Sequence, residues 1–295
     1  MFAAPPPSPP QVVAPGTVID WNSKRDGHGR SYVSGPYRLT LNAAHSPEGD
    51  GGGMLARITV ANAAEDRDHP EVYPWITLSG VVGFPDNAYA RVAVARLDPA
   101  SPTYSVLVTS FSGGAHCCDD VQVATPTPTA ATGPSGQPGW TVLHPGAFDG
   151  AQLGFGPGGA RLPAGQSEAF GLSIPDSGFD YAYGCFACSY APLRIYGLRA
   201  GALVDRTRDP AFRPLLEADM RQAEVGCRQG EAGVCPGYLA DAARLGRWSE
   251  GWRVLKASIR GKPQWGYPDH LCDGLEVQTK CHPGQRSQPI PDYAT

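Results

Sequence analysis

The chain predicts an α+β fold that is predominantly β: an antiparallel β domain followed by a small helical segment. Three observations carry this. Gly (37) and Pro (30) supply nearly a quarter of the 295 residues, about twice the usual share of about 12%, so turns interrupt the chain often. Charged residues reach only 18% against about 25% in an average domain, the reverse of what long solvated helices need. Short apolar runs of period two fill the first two thirds, and helical spacing appears only after residue 207, an order that marks α+β organisation.

Residues 1–15 form a Pro-rich, extended tail. The candidate strands are Ser31–Leu41, Met54–Ala61, Trp75–Val82, Ala90–Leu97 and Tyr104–Phe111, then Val121–Ala124, Trp140–Leu143, Ala169–Ile174, Phe179–Tyr183, Leu193–Leu198 and Ala202–Thr207. In Tyr104–Phe111, Tyr104, Val106 and Val108 alternate with Ser105, Leu107 and Thr109, the pattern of a strand packed on at least one face. Strands spaced in this way suit a sandwich, a barrel or a propeller-like array. Thr125–Gly139 is loop. Asp209 before Pro210 caps a helix over Asp209–Glu224, with Gly226 at its end. A second helix spans Pro236–Leu245, and a third begins at Ser249 with Trp252, Leu255 and Ile259 on one face. The expected division is 1–15 tail, 16–207 β domain, 208–261 helical segment and 262–295 polar tail.

The charge balance, 24 basic against 28 acidic residues, provides no basic face, which argues against a nucleic-acid or anionic-membrane partner. No run approaches the ~18–20 apolar residues of a membrane span. The uncharged opening MFAAPPPSPPQVVAPG reads as the start of a mature exported chain whose signal peptide has been removed.

Eight cysteines fall in four close pairs: Cys117–Cys118, Cys185–Cys188, Cys227–Cys235 and Cys272–Cys281. In an oxidising compartment such pairs read as disulfides, in a reducing one as metal or redox sites. Cys227 and Cys235 flank a helix–helix connection, where a bridge contributes about 2–3 kcal/mol, and Cys272 with Cys281 would tie the tail. Which cysteine bridges which stays open. His116, Cys117, Cys118, Cys185 and Cys188 form an alternative zinc set of Cys₄ or Cys₃His type; against it, adjacent strand residues point oppositely. Cys185-Phe-Ala-Cys188 has C-x-x-C spacing, but its flanks read as strands, whereas a redox cysteine wants a helix N-terminus.

The sharpest segment is Ser110–Asp120, SFSGGAHCCDD. It resembles a strand–SGGAHCC–strand signature of exported bacterial proteins, which look like divergent relatives of the FG-GAP repeats of integrin α-subunit propellers. The resemblance continues through Asp176, Phe179–Tyr183, Ser189–Tyr190–Ala191 and Val204–Arg208, and covers roughly Ala90–Lys256. It implies an FG-GAP-like, propeller-blade or sandwich-like β domain and an exported compartment, without an activity. The family's Asp-rich turn corresponds to Ala95–Pro102, which keeps only Asp98. A Ca²⁺ loop needs several carboxylate oxygens, so no calcium site is carried over.

The remaining motifs have simpler readings. Gly154–Gly159 matches G-x-G-x-x-G, but Pro163 and Gly165 follow where a phosphate-binding helix would open. Ser110 or Ser112 with His116 and Asp119 or Asp120 lacks a nucleophile elbow. Glu65, Asp66, Asp68, His69 and Glu71 read as a solvated loop, and Trp248 and Trp252 as core.

The resulting expectation is a periplasmic or secreted, disulfide-stabilised binding or structural module. It is non-enzymatic, has no cofactor or resident metal, and meets a protein or glycan of the cell envelope. The alternatives are a zinc or thiol enzyme centred on His116, Cys117, Cys118, Cys185 and Cys188, and a glycan-binding module. Thiol labelling of the exported protein under denaturant, before and after reduction, is expected to find eight blocked cysteines and no metal. Four free cysteines at 117, 118, 185 and 188 with stoichiometric zinc would instead establish the metal site.

Overall fold

The computed structural model describes residues 9–27, 29–46, 53–63, 76–111, 118–127, 139–148, 152–153, 171–180, 183, 185–258, 270–272 and 287–289. The chain divides into two units, Met1–Ser173 with Tyr196–Val204, and Ile174–Ile195 with Asp205–Thr295. Segment 174–195, assigned to the β domain on sequence, groups with the helices.

The strands are β1 (Gln11–Val13), β2 (Ile19–Asn22), β3 (Gly29–Ser34), β4 (Tyr37–His45), β5 (Met54–Asn62), β6 (Ile76–Ser79), β7 (Tyr89–Ala95), β8 (Ser105–Phe111), β9 (Asp119–Pro126), β10 (Trp140–Phe148) and β11 (Gln152–Leu153). A helical turn, α1 (Ser23–Asp26), follows β2. One sheet has the order β1-β3-β4-β5-β6 and a second the order β10-β9-β8-β7-β2. Pairing is antiparallel throughout except β1 with β3. A third sheet runs β11-β12-β13-β14, with β12 (Leu172–Pro175), β13 (Leu193–Arg199) and β14 (Ala202–Asp205). β13 and β14 meet at Ala200 (φ 50) and Gly201 (φ 81), the two positive φ values of a type I′ hairpin turn.

Alternation decides which residues face inward. Leu39 and Leu41 of β4 lie opposite Val60 and Ile58 of β5; Val92 and Val94 of β7 lie opposite Val108 and Val106 of β8. All eight, with Trp21 of β2, enter one fully buried core. The first two sheets therefore pack as a sandwich, each covering the other's apolar face. Both are open, and no sheet closes on itself among the described residues.

Several expectations are corrected. Ser31–Leu41 is two strands, because Gly35 (φ +53) turns the chain and pairs Ser34 with Tyr37. Gln11–Val13, placed in the tail, pairs with β3. The expected strand over Phe179–Tyr183 is replaced at its start: Asp176 Oδ1 accepts from the Gly178 N–H and starts a 3₁₀ turn at Ser177–Phe179, and residues 181 and 182 lie outside the described residues. The first helix opens as a 3₁₀ turn, Pro210–Phe212, capped by Asp209. It continues as α2 (Arg213–Arg228) through Gly226, and the positive φ falls at Gly230 instead.

The second unit packs α2, α3 (Cys235–Arg244) and α4 (Trp248–Ser258) on one another through Leu216, Met220, Tyr238, Ala242 and Leu255, all buried. A disulfide joins Cys227 to Cys235 across the α2–α3 connection. The polar tail contains a short antiparallel pair, β15 (His270–Cys272) and β16 (Ser287–Pro289). Trp248 and Trp252, expected in the core, are 43% and 41% exposed and stack on each other, centroids 5.8 Å apart. Their i, i+4 spacing puts them side by side at the edge of the α4 face that buries Gly251, Val254 and Leu255.

Leu41→Ala empties a site with no solvent contact and is expected to cost about 2–5 kcal/mol in urea unfolding, whereas Val225→Ala, at a 58% exposed position, is expected to cost under about 0.5 kcal/mol.

Candidate functional site

The expected site residues separate. His116, Cys117, Ser112 and Cys281 lie outside the described residues, as do the Gly154–Gly159 and Glu65–Glu71 motifs. Cys185 and Cys188 are bonded to each other, Cα atoms 4.9 Å apart. Cys118 is also disulfide-bonded, Cys272 sits on β15, and no described cysteine is free. The described residues contain no cluster of three or more His, Cys, Asp or Glu suited to a metal. Asp98 accepts from the Ala100 N–H at 3.0 Å and the Ala200 N–H at 3.3 Å, so its carboxylate holds a turn. Ser110 Oγ accepts from the Val81 N–H at 2.9 Å and is buried, a structural bond in place of a nucleophile.

A pocket of about 330 Å³ instead opens at one end of the second sheet. Two rungs floor it: Asn22 pairs with Tyr89, and Phe111 with Asp119. Arg91 adds the next position along β7. The wall is the segment after β6. Gly80 N–H donates to Ala56 O, Gly83 N–H to Met54 O, and Met54 N–H to Phe84 O, so Val81, Gly83 and Phe84 run beside the start of β5. This path needs glycine at 80, where an added Cβ would lie 2.8 Å from the Ser110 Cβ. Gln122 Nε2 donates to Ser79 O at 2.6 Å, and with the Val81–Ser110 bond it ties the edge of the first sheet to the second beside the pocket.

The lining is half apolar (Met54, Val81, Phe84, Phe111) and half polar (Asn22, Asn87, Tyr89, Arg91, Asp119). Asn22 Oδ1 accepts from the Lys24 and Arg25 N–H groups, and Asn87 Oδ1 accepts from Ser23 Oγ at 3.2 Å, so both carbonyl oxygens serve the fold. Neither Nδ2 takes part in a hydrogen bond among the described residues. The Arg91 guanidinium lies 5.6 Å over the Tyr89 ring and 3.7 Å from Asp20. Tyr89 donates to Asp20 Oδ2, and burial pushes its hydroxyl up to about 12. Of these residues only Phe111 and Asp119, in the SFSGGAHCCDD segment, carry a signal in the sequence. A weaker pointer is apolar Phe84 in a turn-rich stretch, where it stands 48% exposed.

A second polar cluster lies within the helical unit. Asp219 of α2 and Asp241 of α3 are 5% and 0% exposed. Asp219 Oδ2 accepts from the Leu193 N–H, and Tyr190 donates to the Asp219 carbonyl. Arg244 donates to Leu193 O and Asp241 Oδ1, and lies 3.6 Å from Asp176. Asp241 Oδ2 is buried with no hydrogen-bond partner among the described residues. Burial, then the neighbouring charge of Asp219, raise the Asp241 carboxyl well above its ordinary value, with Arg244 acting in the opposite sense. The side chains of Asp219, Asp241 and Arg244 are buried and hold α2, α3 and the start of β13 together.

Residues 215–293 match the family model described as the sll0997 C-terminal domain. The chain is 26% identical over 200 residues to a probable thylakoid lumen protein of Synechocystis, covering 65% of this chain and 54% of that one. It is 27% identical over 211 residues to an uncharacterised protein of Sinorhizobium fredii, covering 69% and 30%. The chain thus spans about half or less of these relatives. No solved structure matches.

A carboxyl raised in the folded state stabilises most below its ordinary value near 3.8; that contribution falls as pH rises toward the folded value and is gone above it. Urea melts of the wild type are expected to weaken by about one kcal/mol per pH unit from about pH 4 upward, and Asp241→Asn, neutral at every pH, is expected to flatten that slope.

Proposed function

We propose that this chain is an exported, non-enzymatic binding module, stabilised by disulfides, whose binding site is the pocket at the end of the second sheet. One observation carries the reading. The pocket gathers aromatic and apolar side chains with two amide Nδ2 groups, of Asn22 and Asn87, that make no hydrogen bond among the described residues, and with the Arg91 guanidinium, which also faces Asp20, the usual composition of a small-molecule site. The β8–β9 hairpin, which bears the SGGAHCC signature, begins and ends at lining residues Phe111 and Asp119. The likeness of that signature to exported FG-GAP-like proteins belongs to the same proposal.

Two observations support a periplasmic, secreted or lumenal compartment: the disulfides, which persist where thiols are oxidised, and a relative described as a lumen protein. The same bridges weigh against the zinc and thiol-enzyme alternative. Cys118, Cys185 and Cys188 are bonded, which withdraws three of the five donors it requires.

The test is a small-molecule fragment screen observed by NMR on the ¹⁵N-labelled full chain. Saturable shifts are expected at the amides of Asn22, Asn87, Tyr89 and Arg91, and a pocket-filling Val81→Trp variant that retains its fold is expected to lose them. Shifts that persist in that variant, or no shifts at all, would remove the pocket from consideration.

A further inference from the structure

We infer that the pocket takes a neutral sugar, a pyranose unit of an envelope glycan; this deepens the binding-module reading and rests on it. The argument begins with charge. Arg91 and Asp119 line one small cavity with opposite signs, and Asp20 stands 3.7 Å from Arg91. An anionic ligand drawn to Arg91 meets two carboxylates. A cationic ligand drawn to Asp119 meets the guanidinium. Like charges brought into one small cavity repel, so a lining that carries both signs favours a neutral ligand.

Hydrogen bonding narrows the class. The lining presents donors at Asn22 Nδ2, Asn87 Nδ2 and Arg91, beside the Asp119 carboxylate, which also interacts within the protein and can accept more than one hydrogen bond. A ligand that satisfies both kinds of group must itself donate and accept around its rim. Vicinal hydroxyls do this, each with one O–H donor and two lone pairs, and planar amide and guanidinium groups can bridge two adjacent hydroxyls. Phe84, Phe111, Val81 and Met54 line the same pocket, with Phe111 directly beside Asp119. A pyranose meets such a mixed lining with a C–H face that packs on an aromatic ring and a hydroxyl rim. Burying the donors against an apolar ligand would leave them unpaired, at about 1–3 kcal/mol each.

The stacked tryptophans of α4 do not provide the same surface. Trp252 has Trp248 stacked on it and Lys256 Nζ 5.2 Å from its ring centre, so its faces are already engaged within the helix.

The experiment titrates the ¹⁵N-labelled full chain with neutral disaccharides (cellobiose, maltose, lactose and N,N′-diacetylchitobiose) and, in separate arms, glucuronate, glucosamine and triglycine. At least one neutral disaccharide is expected to move the Tyr89, Arg91, Phe111 and Asp119 amides saturably, and to bind more tightly than either charged sugar. Phe84→Ala, a change at an exposed ring, is expected to weaken that binding about tenfold while the spectrum away from the pocket stays unchanged. If the neutral sugars leave these amides unmoved, the inference fails. If glucuronate, glucosamine or triglycine moves them instead, the pocket stands and the ligand class is wrong. If neither these probes nor any fragment moves them, the binding-module reading fails as well.

Discussion

An open antiparallel sheet with one apolar face must bury that face against something, and in the β unit each five-stranded sheet is buried against the other. Leu39, Leu41, Ile58 and Val60 from one sheet meet Trp21, Val92, Val94, Val106 and Val108 from the other with almost no solvent contact. At about 25 cal/mol per Å² of apolar area, this shared core dominates the stability of the unit. Because side chains alternate, the same registers that set it place Tyr89, Arg91, Phe111 and Asp119 on the other face of the second sheet. A slip of one residue in β7 or β8 would bury Arg91 or Phe111 in the core and abolish the pocket.

The pocket is where the two sheets are tied along an edge. The bonds from Gln122 to Ser79 and from Val81 to Ser110 hold the β6 edge to the second sheet. The chain that leaves β6 is then pulled into the path that makes the pocket wall. Gly80 permits this approach, since any side chain there would collide with Ser110. The floor consists of rigid strand positions and the wall of a tethered segment, an arrangement that holds polar groups in place before a ligand arrives.

The helical unit solves a different problem. Its helices are short, and a buried ionic cluster joins them to the strand that precedes them in sequence. Asp219 accepts from the Leu193 N–H while Arg244 donates to the Leu193 carbonyl, so a single residue of β13 is held from both α2 and α3. Burial raises the Asp241 carboxyl above its ordinary value, and Arg244 is its ion-pair partner. The Cys227–Cys235 bridge closes the same helix pair covalently, and Gly233 lets the Cys185–Cys188 turn approach, since an added side chain there would strike the Cys188 carbonyl.

Local pattern alone determined much of this protein. Period-two runs located β5, β7, β8, β9 and β13 to within a few residues, and Asp209–Pro210 marked the helix start, because alternation, capping and proline geometry act over neighbouring residues. Cysteine spacing marked the pairs 185–188 and 227–235 as close in space, since chains of three and eight residues cannot separate them far. The pocket was not legible. Asn22, Met54, Phe84, Asn87 and Arg91 come from different strands and turns, and each is unremarkable in its own neighbourhood. The Asp219–Asp241–Arg244 cluster likewise looked like ordinary helix polarity until packing removed its water. Trp248 and Trp252 were misplaced because helical spacing says only that residues lie near one face, and packing partners decide how far round the helix burial extends, past Leu255 but short of the two tryptophans. Local periodicity set the elements and their faces; only tertiary structure decided which faces meet, which polar groups lose solvent and where a cavity remains, because those depend on contacts between residues far apart in the chain.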